Sequence, residues 1–316
     1  MFYCVTIGGA ARDIFFNLPE LKRENGKREF PVLPLPYGEK MVSAETFYSY
    51  GGGAINVSVC LSRLGLKTAS YCNIGKEGTG SLVKNYLECE KVNTKFVHRD
   101  ANLHTGLSVF ILGEDNEHTG FLERGANNNL PLTLPKFKTK WFYVSSLTGR
   151  SAELLPKIFE YAKKEGIRVA FNPGKTQLEK GYKYLKPFIE QTEILILNLE
   201  EATELLDSKS VKKRPLKMIL KEMGQLGSTM ALLTDSENGS YAVFEDNVYF
   251  QNAIQSNVVD TTGAGDSFGG TFLFGIIRGF DIRYALKIAA INSASVVSKM
   301  GAGDGLLNYN SIKSSL

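Results

Sequence analysis

The chain has 316 residues, 43% of them apolar, enough for a full core in one large α/β domain or two smaller ones. Its formal net charge of +4 is small for that length, and no Lys/Arg block exceeds a few residues, so a nucleic-acid stripe is not indicated. The four cysteines lack Cys-x-x-Cys spacing, the three histidines lack ligand spacing, and no apolar run reaches membrane-spanning length.

From the N-terminus, Tyr3 to Ile7 reads as a buried strand ending in Gly8-Gly9. No basic leader precedes it, and Cys4, Cys60 and Cys72 lie in apolar surroundings, so the expectation is a soluble protein of the reducing cytoplasm. Residues from about 14 to 50 hold strand-like pieces, Pro31, Pro34, Pro36 and a charged turn from Lys22 to Arg28. Ile55 to Leu64 reads as a helix stopped by Gly65, Thr68 to Ile74 as a strand, and Gly80 to Cys89 as a helix. Leu107 to Leu112, a turn at Gly113-Glu114-Asp115-Asn116, and Thr119 to Leu122 read as a hairpin. Trp141 to Val144 is a strand, and Ser151 to Glu165 a helix ended by Gly166. Arg168 to Phe171, Ile194 to Leu197 and Met230 to Leu233 are further strands. The basic cluster Lys209 to Arg214 reads as a solvated loop or helix end. Such alternation predicts a mostly parallel central sheet with helices on both faces, in one domain spanning 1–316. The insertions at about 14–50 and 105–124 are expected to form a small β lid, or else ordinary surface hairpins. Ligands of such a sheet bind beyond the carboxyl ends of its strands.

Val259 to Phe268 is the most informative stretch, because Gly263-Ala264-Gly265 is followed by Asp266 and then by an apolar run. Small residues leave backbone N–H groups unscreened, and the first N–H groups of a helix have no internal partner. Such a turn attracts an anion, typically phosphate. A carboxylate beside it is costly unless it acts, and accepting a proton from an attacking hydroxyl is the act that fits. The alternative is a glycine-rich turn that merely starts a core helix. Earlier, Gly51-Gly52-Gly53 precedes a helix whose first turn carries Asn56, which offers a donor and an acceptor to a hydroxylated ligand.

Together these stretches resemble the paired signatures of the ribokinase-like (PfkB-type) sugar kinase family. The early signature is matched by Gly52, Gly53, Asn56, Ser58, Gly65 and Gly75, and the late one by Asp260, Thr261, Gly263, Ala264, Gly265, Asp266 and Gly270. Asn198-Leu199-Glu200-Glu201, Thr234 through Gly239, Gly125-Ala126-Asn127 and Asn172-Pro173-Gly174 also have counterparts, in the right order along nearly the whole chain. Thr271 departs from the family's small residue, and Ser236 from its middle glycine.

The resemblance implies a three-layer sandwich with a small β-sheet lid, and phosphorylation of a hydroxyl, usually a sugar hydroxymethyl, from ATP. It makes Asp266 the base and the amides of Gly263, Ala264, Gly265 and Asp266 the phosphoryl cradle. Asp13, Gly52, Gly53 and Asn56 would hold the acceptor, while Asn198, Thr234, Gly239, Gly265 and Asn292 would line the nucleotide. The segment Ala289 to Met300, ending at Gly301-Ala302-Gly303, would close over the adenine. Glu201 would hold Mg2+ with Asn198, although Asn198 and Glu201 also fit a helix-capping pattern. Asp260 and Thr262 would offer carbonyl oxygens to a monovalent cation such as K+.

Members that use ribose carry Asn where Ala11 stands, Lys at Gly53, and Glu in the stretch held here by Leu147-Thr148-Gly149. Those losses leave a sugar kinase other than a ribokinase as the leading reading and a nucleoside kinase as the second. Phe15, Phe16, Phe47, Tyr48 and Tyr50 would stack on a base or form lid core. A non-catalytic binding protein is the third reading. A nicotinamide dehydrogenase lacks support, because Gly8 to Asp13 has no Gly-x-Gly-x-x-Gly spacing. Exposed strand edges in the lid point to a homodimer.

Overall fold

The structure is a computed structural model and describes residues 1–18, 20–22, 32–113, 118–206 and 214–316. The charged turn beyond Lys22, Pro31, the hairpin turn at Glu114, Asp115 and Asn116, and the stretch Lys209–Lys213 lie outside them. The described strands are β1 (Phe2–Ile7), β2 (Ala11–Asn17), β3 (Glu45–Gly51), β4 (Thr68–Tyr71), β5 (Asn73–Gly75), β6 (His98–Asp100), β7 (Gly106–Leu112), β8 (His118–Glu123), β9 (Thr139–Val144), β10 (Arg168–Phe171), β11 (Ile194–Asn198), β12 (Met230–Thr234), β13 (Ser240–Phe244) and β14 (Asn247–Gln251). The α-helices are α1 (Gly53–Arg63), α2 (Gly78–Cys89), α3 (Leu154–Glu165), α4 (Lys175–Leu178), α5 (Gly181–Ile189), α6 (Leu199–Leu206), α7 (Leu216–Gly224), α8 (Ala264–Arg278), α9 (Ile282–Val297) and α10 (Tyr309–Ser314).

Eight strands form one sheet in the order β14-β13-β12-β11-β10-β9-β1-β4. It is parallel from β12 to β4, with β13 and β14 added antiparallel at one edge. Its strands read as continuous apolar runs because both faces are covered. Alternate residues enter opposite cores: Ile194 and Ile196 pack with α1, α8 and α9, while Leu195 and Leu197 pack with α3, α5, α6 and α7. A second sheet has the order β3-β2-β7-β8, with β2 and β7 parallel and the outer pairs antiparallel. Its strands come from the two insertions expected to leave the alternation, although β2 already begins at Ala11.

The strand expected from Thr68 to Ile74 is in fact two. Beyond Tyr71 the chain leaves the large sheet, and β5 pairs with β6 instead. Buried Asn73 draws it away: its amide nitrogen donates to the carbonyls of Ala126 (3.0 Å) and Asn129 (2.7 Å). Gly166 ends α3 in a left-handed conformation, φ 64°, as expected of a helix-stopping glycine. No helix among the described residues is long and apolar enough to cross a membrane.

Candidate active site

Asp260, 4% exposed, organises the turn before α8. Its Oδ1 accepts from the N–H (2.9 Å) and hydroxyl (2.7 Å) of Thr262, and its Oδ2 from the N–H of Gly301 (2.8 Å). The chain then turns through Gly263 at φ 78°, where a Cβ would lie 2.4 Å from that of Ala302. Both the backbone angle and the space demand glycine there. The N–H of Ala264 donates to the carbonyl of Thr261 at 3.2 Å, so the expectation that it belongs to the anion cradle is corrected. The N–H groups of Gly263, Gly265 and Asp266 have no partner among the described residues. A Cβ at Gly265 would meet nothing within 4 Å, so this side of the turn faces open space.

Asp266 follows in the first turn of α8, half-buried. Asn56, from the first turn of α1, donates to its Oδ2 at 2.8 Å. The two helices approach closely enough because Gly270 presents no side chain: a Cβ there would lie 3.2 Å from Cys60 Sγ and 3.4 Å from Val57. Burial raises the carboxyl above its ordinary range, and the Asn56 hydrogen bond opposes part of that rise. A carboxylate so raised holds a proton more readily, which suits a general base.

Asp13 lies on β2, only 3% exposed. It accepts a hydrogen bond from Ser108, its neighbour on β7. Burial raises its carboxyl, the Ser108 hydrogen bond lowers it, and the charge of Asp260 adds to the rise. Arg12 points to the other face of the sheet, with its guanidinium 5.2 Å from the ring centre of Tyr48 and 4.4 Å from that of Tyr50. Gly51 is required by Asp13 itself, since a Cβ there would fall 2.1 Å from Oδ2. At Gly52, φ is 94° and a Cβ would lie 2.4 Å from the carbonyl oxygen of Gly9. A Cβ at Gly53 would lie 2.6 Å from the Ser145 side chain and 3.5 Å from Asp266 Oδ1. Ser145 thus occupies the space a side chain at 53 would need. Nothing in the sequence around Ser145 singled it out.

A cleft of about 1250 Å³ adjoins the turn. Asn198, Thr234, Gly239 and Gly265 all line it. Asn292 does not, and its expected nucleotide role is corrected. It is fully buried, donates to Thr271 Oγ1 at 2.7 Å and accepts from the N–H of Leu307 at 2.9 Å. The face of α9 that borders the cleft is Ala290, Ser293, Ala294 and Val297. Gly301, Ala302 and Gly303 are also absent from the lining, because the Gly301 N–H holds Asp260 and Gly303 O accepts from Arg63 at 2.8 Å. The strip Asn252 to Val258, which follows β14, forms another wall. Sequence reading missed it, since it carries no periodicity.

Asn198 and Glu201 form a reciprocal cap. The Glu201 N–H donates to Asn198 Oδ1 (2.7 Å) and the Asn198 N–H to Glu201 Oε2 (2.9 Å). The capping alternative is therefore present in the geometry. Glu201 Oε1 has no partner among the described residues. Burial raises the Glu201 carboxyl and the Asn198 N–H lowers it, with Glu204, Asp266 and Glu200 adding to the rise. Both oxygens of the Asp260 carboxylate are engaged, by Thr262 and by Gly301. The carbonyl oxygens of Asp260 and Thr262 accept no hydrogen bond among the described residues. No group of three or more His, Cys, Asp or Glu side chains able to hold a metal ion occurs among the described residues.

A family model described as pfkB family carbohydrate kinase matches residues 6–308. The 5-dehydro-2-deoxygluconokinase of Bacillus licheniformis is 26% identical over 309 residues, covering 89% of this chain and 94% of that one. Among solved structures, ribokinase from Cryptococcus neoformans in complex with ADP superposes with a TM-score of 0.81 at 24% identity, covering 100% of both chains. A nucleoside kinase of Methanocaldococcus jannaschii does so with a TM-score of 0.80 at 24% identity, covering 99% of this chain and 97% of that one. These two superpositions show the shared fold.

Proposed function

This chain belongs to the pfkB family of carbohydrate kinases, and from that we propose that it transfers the terminal phosphoryl group of ATP to a hydroxymethyl group of a sugar, with Asp266 as general base. It is an ATP-dependent sugar kinase. Asp266 takes the proton of the acceptor hydroxyl as that oxygen attacks phosphorus and ADP departs. The N–H groups of Gly263, Gly265 and Asp266 receive the charge that grows on the transferred phosphoryl oxygens. The observation that carries this reading is the conjunction at the start of α8: three unpartnered amides, open space over Gly265, and a half-buried carboxylate steadied by Asn56. Asp266→Asn tests it. The variant should bind ATP as the wild type does and slow transfer by about 10²–10⁴-fold. Wild-type turnover in that variant would falsify the base assignment.

ATP would lie in the cleft along Thr234 and Gly239, against the α9 face. Mg2+ keeps most of its water and phosphate ligands, so it needs few protein oxygens. Glu201 Oε1, with Asn198 at the cleft wall, would hold that hydrated ion, which when bound offsets phosphate charge during transfer. A monovalent cation such as K+ would sit at the carbonyl oxygens of Asp260 and Thr262.

We read residues 1–316 as one kinase domain whose small sheet is a lid carrying Asp13 over the acceptor, beside Gly52, Gly53 and Asn56. A sugar is preferred to a nucleoside because two of the lid aromatics are already committed. Phe15 stacks on Phe110 with ring centres 4.7 Å apart, and Tyr50 lies on the Arg12 face, away from Asp13, and stacks on Tyr86 at 4.2 Å. Turnover measured against a panel of sugars and nucleosides decides between them, and a nucleoside used ahead of every sugar would overturn the preference. Beside Arg12, the outward face of the lid carries an apolar patch: Ile14, Phe16, Val109 and Ile111 line it, with Tyr48 and Phe121 exposed at 62% and 53%. We assign it to a homodimer contact. The four free thiols fit a cytoplasmic enzyme.

A further inference from the structure

The chain enters or leaves the small sheet four times: at Gly8–Ala10, at Gly51–Gly53, at Thr105–Gly106 and at Arg124–Gly125. All four passages gather at one place. A Cβ at Gly52 would strike the carbonyl oxygen of Gly9 at 2.4 Å, and one at Gly125 that of His104 at 2.2 Å. A Cβ at Gly106 would lie 2.3 Å from the amide nitrogen of Asn127 and 3.0 Å from the carbonyl oxygen of Ala10.

The Asn127 side chain sits in the middle of this junction. Its Oδ1 accepts from the N–H of Ala10 at 2.8 Å, and its Nδ2 donates to the carbonyl of Ala10 at 2.9 Å. Ala10 falls between β1 and β2, so no neighbouring strand serves its two backbone groups, and it is fully buried. Buried groups of that kind require partners. A carboxamide supplies a donor and an acceptor in one plane, which a carboxylate or an aliphatic chain does not. Asn127 is itself anchored: its N–H donates to Arg124 O at 3.0 Å, and its carbonyl accepts from the Ser151 hydroxyl at 2.7 Å. From Ala10 the chain runs directly into β2 and reaches Asp13.

We propose that Asn127 is a positioning residue for the acceptor: by holding both backbone groups of Ala10 it fixes where the small sheet departs from the body and so brings Asp13 to its place against Gly51, at the entry to α1. This rests on the reading of Asp13 as a grip on the acceptor. Loss of the carboxamide lets β2 swing as a unit, while the ATP cleft, built from β11, β12, α8 and α9, is untouched.

The test is a double-mutant cycle on the sugar of the panel with the highest turnover, with KM measured for that sugar and for ATP. Asn127→Ala should raise the sugar KM about tenfold, the effect of losing two hydrogen bonds, and leave the ATP KM within about twofold. In an Asp13→Ala background the same substitution should add almost nothing to the sugar KM. Asn127→Asp, which keeps an acceptor for the Ala10 N–H, should give a smaller rise of the same kind and serves if the alanine variant does not fold. A parallel rise in the ATP KM, or an equal rise with and without Asp13, overturns the proposal while leaving the kinase reading intact. A wild-type sugar KM in Asp13→Ala alone removes the acceptor assignment and the proposal with it.

Discussion

Asp266 carries two opposed consequences of one burial. Its carboxyl is raised above the usual range, so the deprotonated form needed to accept a proton is lost as the pH falls through that raised value. The Asn56 hydrogen bond favours the charged form, so Asn56→Ala should move the acidic limb of the kcat/KM profile to higher pH. An unchanged limb would show that Asn56 does not act on the base. For stability the sign is the reverse. A folded-state pKa above the unfolded value makes the ionised group a cost at neutral pH, and that cost vanishes once both states are protonated. Asp266→Asn should therefore melt at or above the wild-type temperature at pH 7, with the gap closing as pH falls, which thermal scans at several pH values would reveal. At this scale the sequence was legible where identity and local spacing set the geometry, as where Asn56 meets Asp266 and where the glycines turn the chain. It was not legible where a role depends on what surrounds a side chain. The family resemblance put Asn292 at the nucleotide, yet its helix turns it into the core, and neighbouring Ser293 faces the cleft instead.

The elements most plainly written in the sequence are the parallel strands, whose uninterrupted apolar runs follow from burial on both faces. The strip Asn252–Val258 has no such pattern, because an irregular segment is shaped by the walls around it. The division of Thr68–Ile74 into two strands was equally hidden, being decided by Asn73 reaching residues far along the chain. Between α8, α9 and α1 runs a buried polar link: Asn292 donates to Thr271, whose hydroxyl lies 3.4 Å from Cys60 Sγ. This gives Thr271, a departure from the family's small residue, a partner at the helix contact. Asn292→Ala leaves the Thr271 hydroxyl and the Leu307 N–H without that partner, and should cost about 2–6 kcal/mol, since each buried orphan costs about 1–3 kcal/mol. Urea unfolding measures that loss. The ATP KM of the folded variant should stay near wild type, and a selective rise in it would return Asn292 to the nucleotide.

For the whole molecule, the order of strand and helix signals was enough to predict a layered sheet with an appended small one, whereas the association of two copies is argued from the outward face of that small sheet. Sedimentation at micromolar concentration should show a dimer, and Val109→Glu should convert it to a monomer by placing a charge in the middle of the contact. A wild-type monomer at that concentration would sink the assignment. Each excursion into the small sheet also leaves and returns through touching residues: the Ala54 N–H donates to Gly9 O at 3.2 Å, and the Ala126 N–H to His104 O at 2.7 Å. Excising either excursion would leave a gap that needs almost no linker, because its ends are already neighbours. The body is thus a socket and the small sheet a cassette, exchangeable at four junctions that lie together. Grafting a relative's cassette onto this socket would test whether the small sheet sets the choice of acceptor, with the cleft along Thr234 and Gly239 left in place.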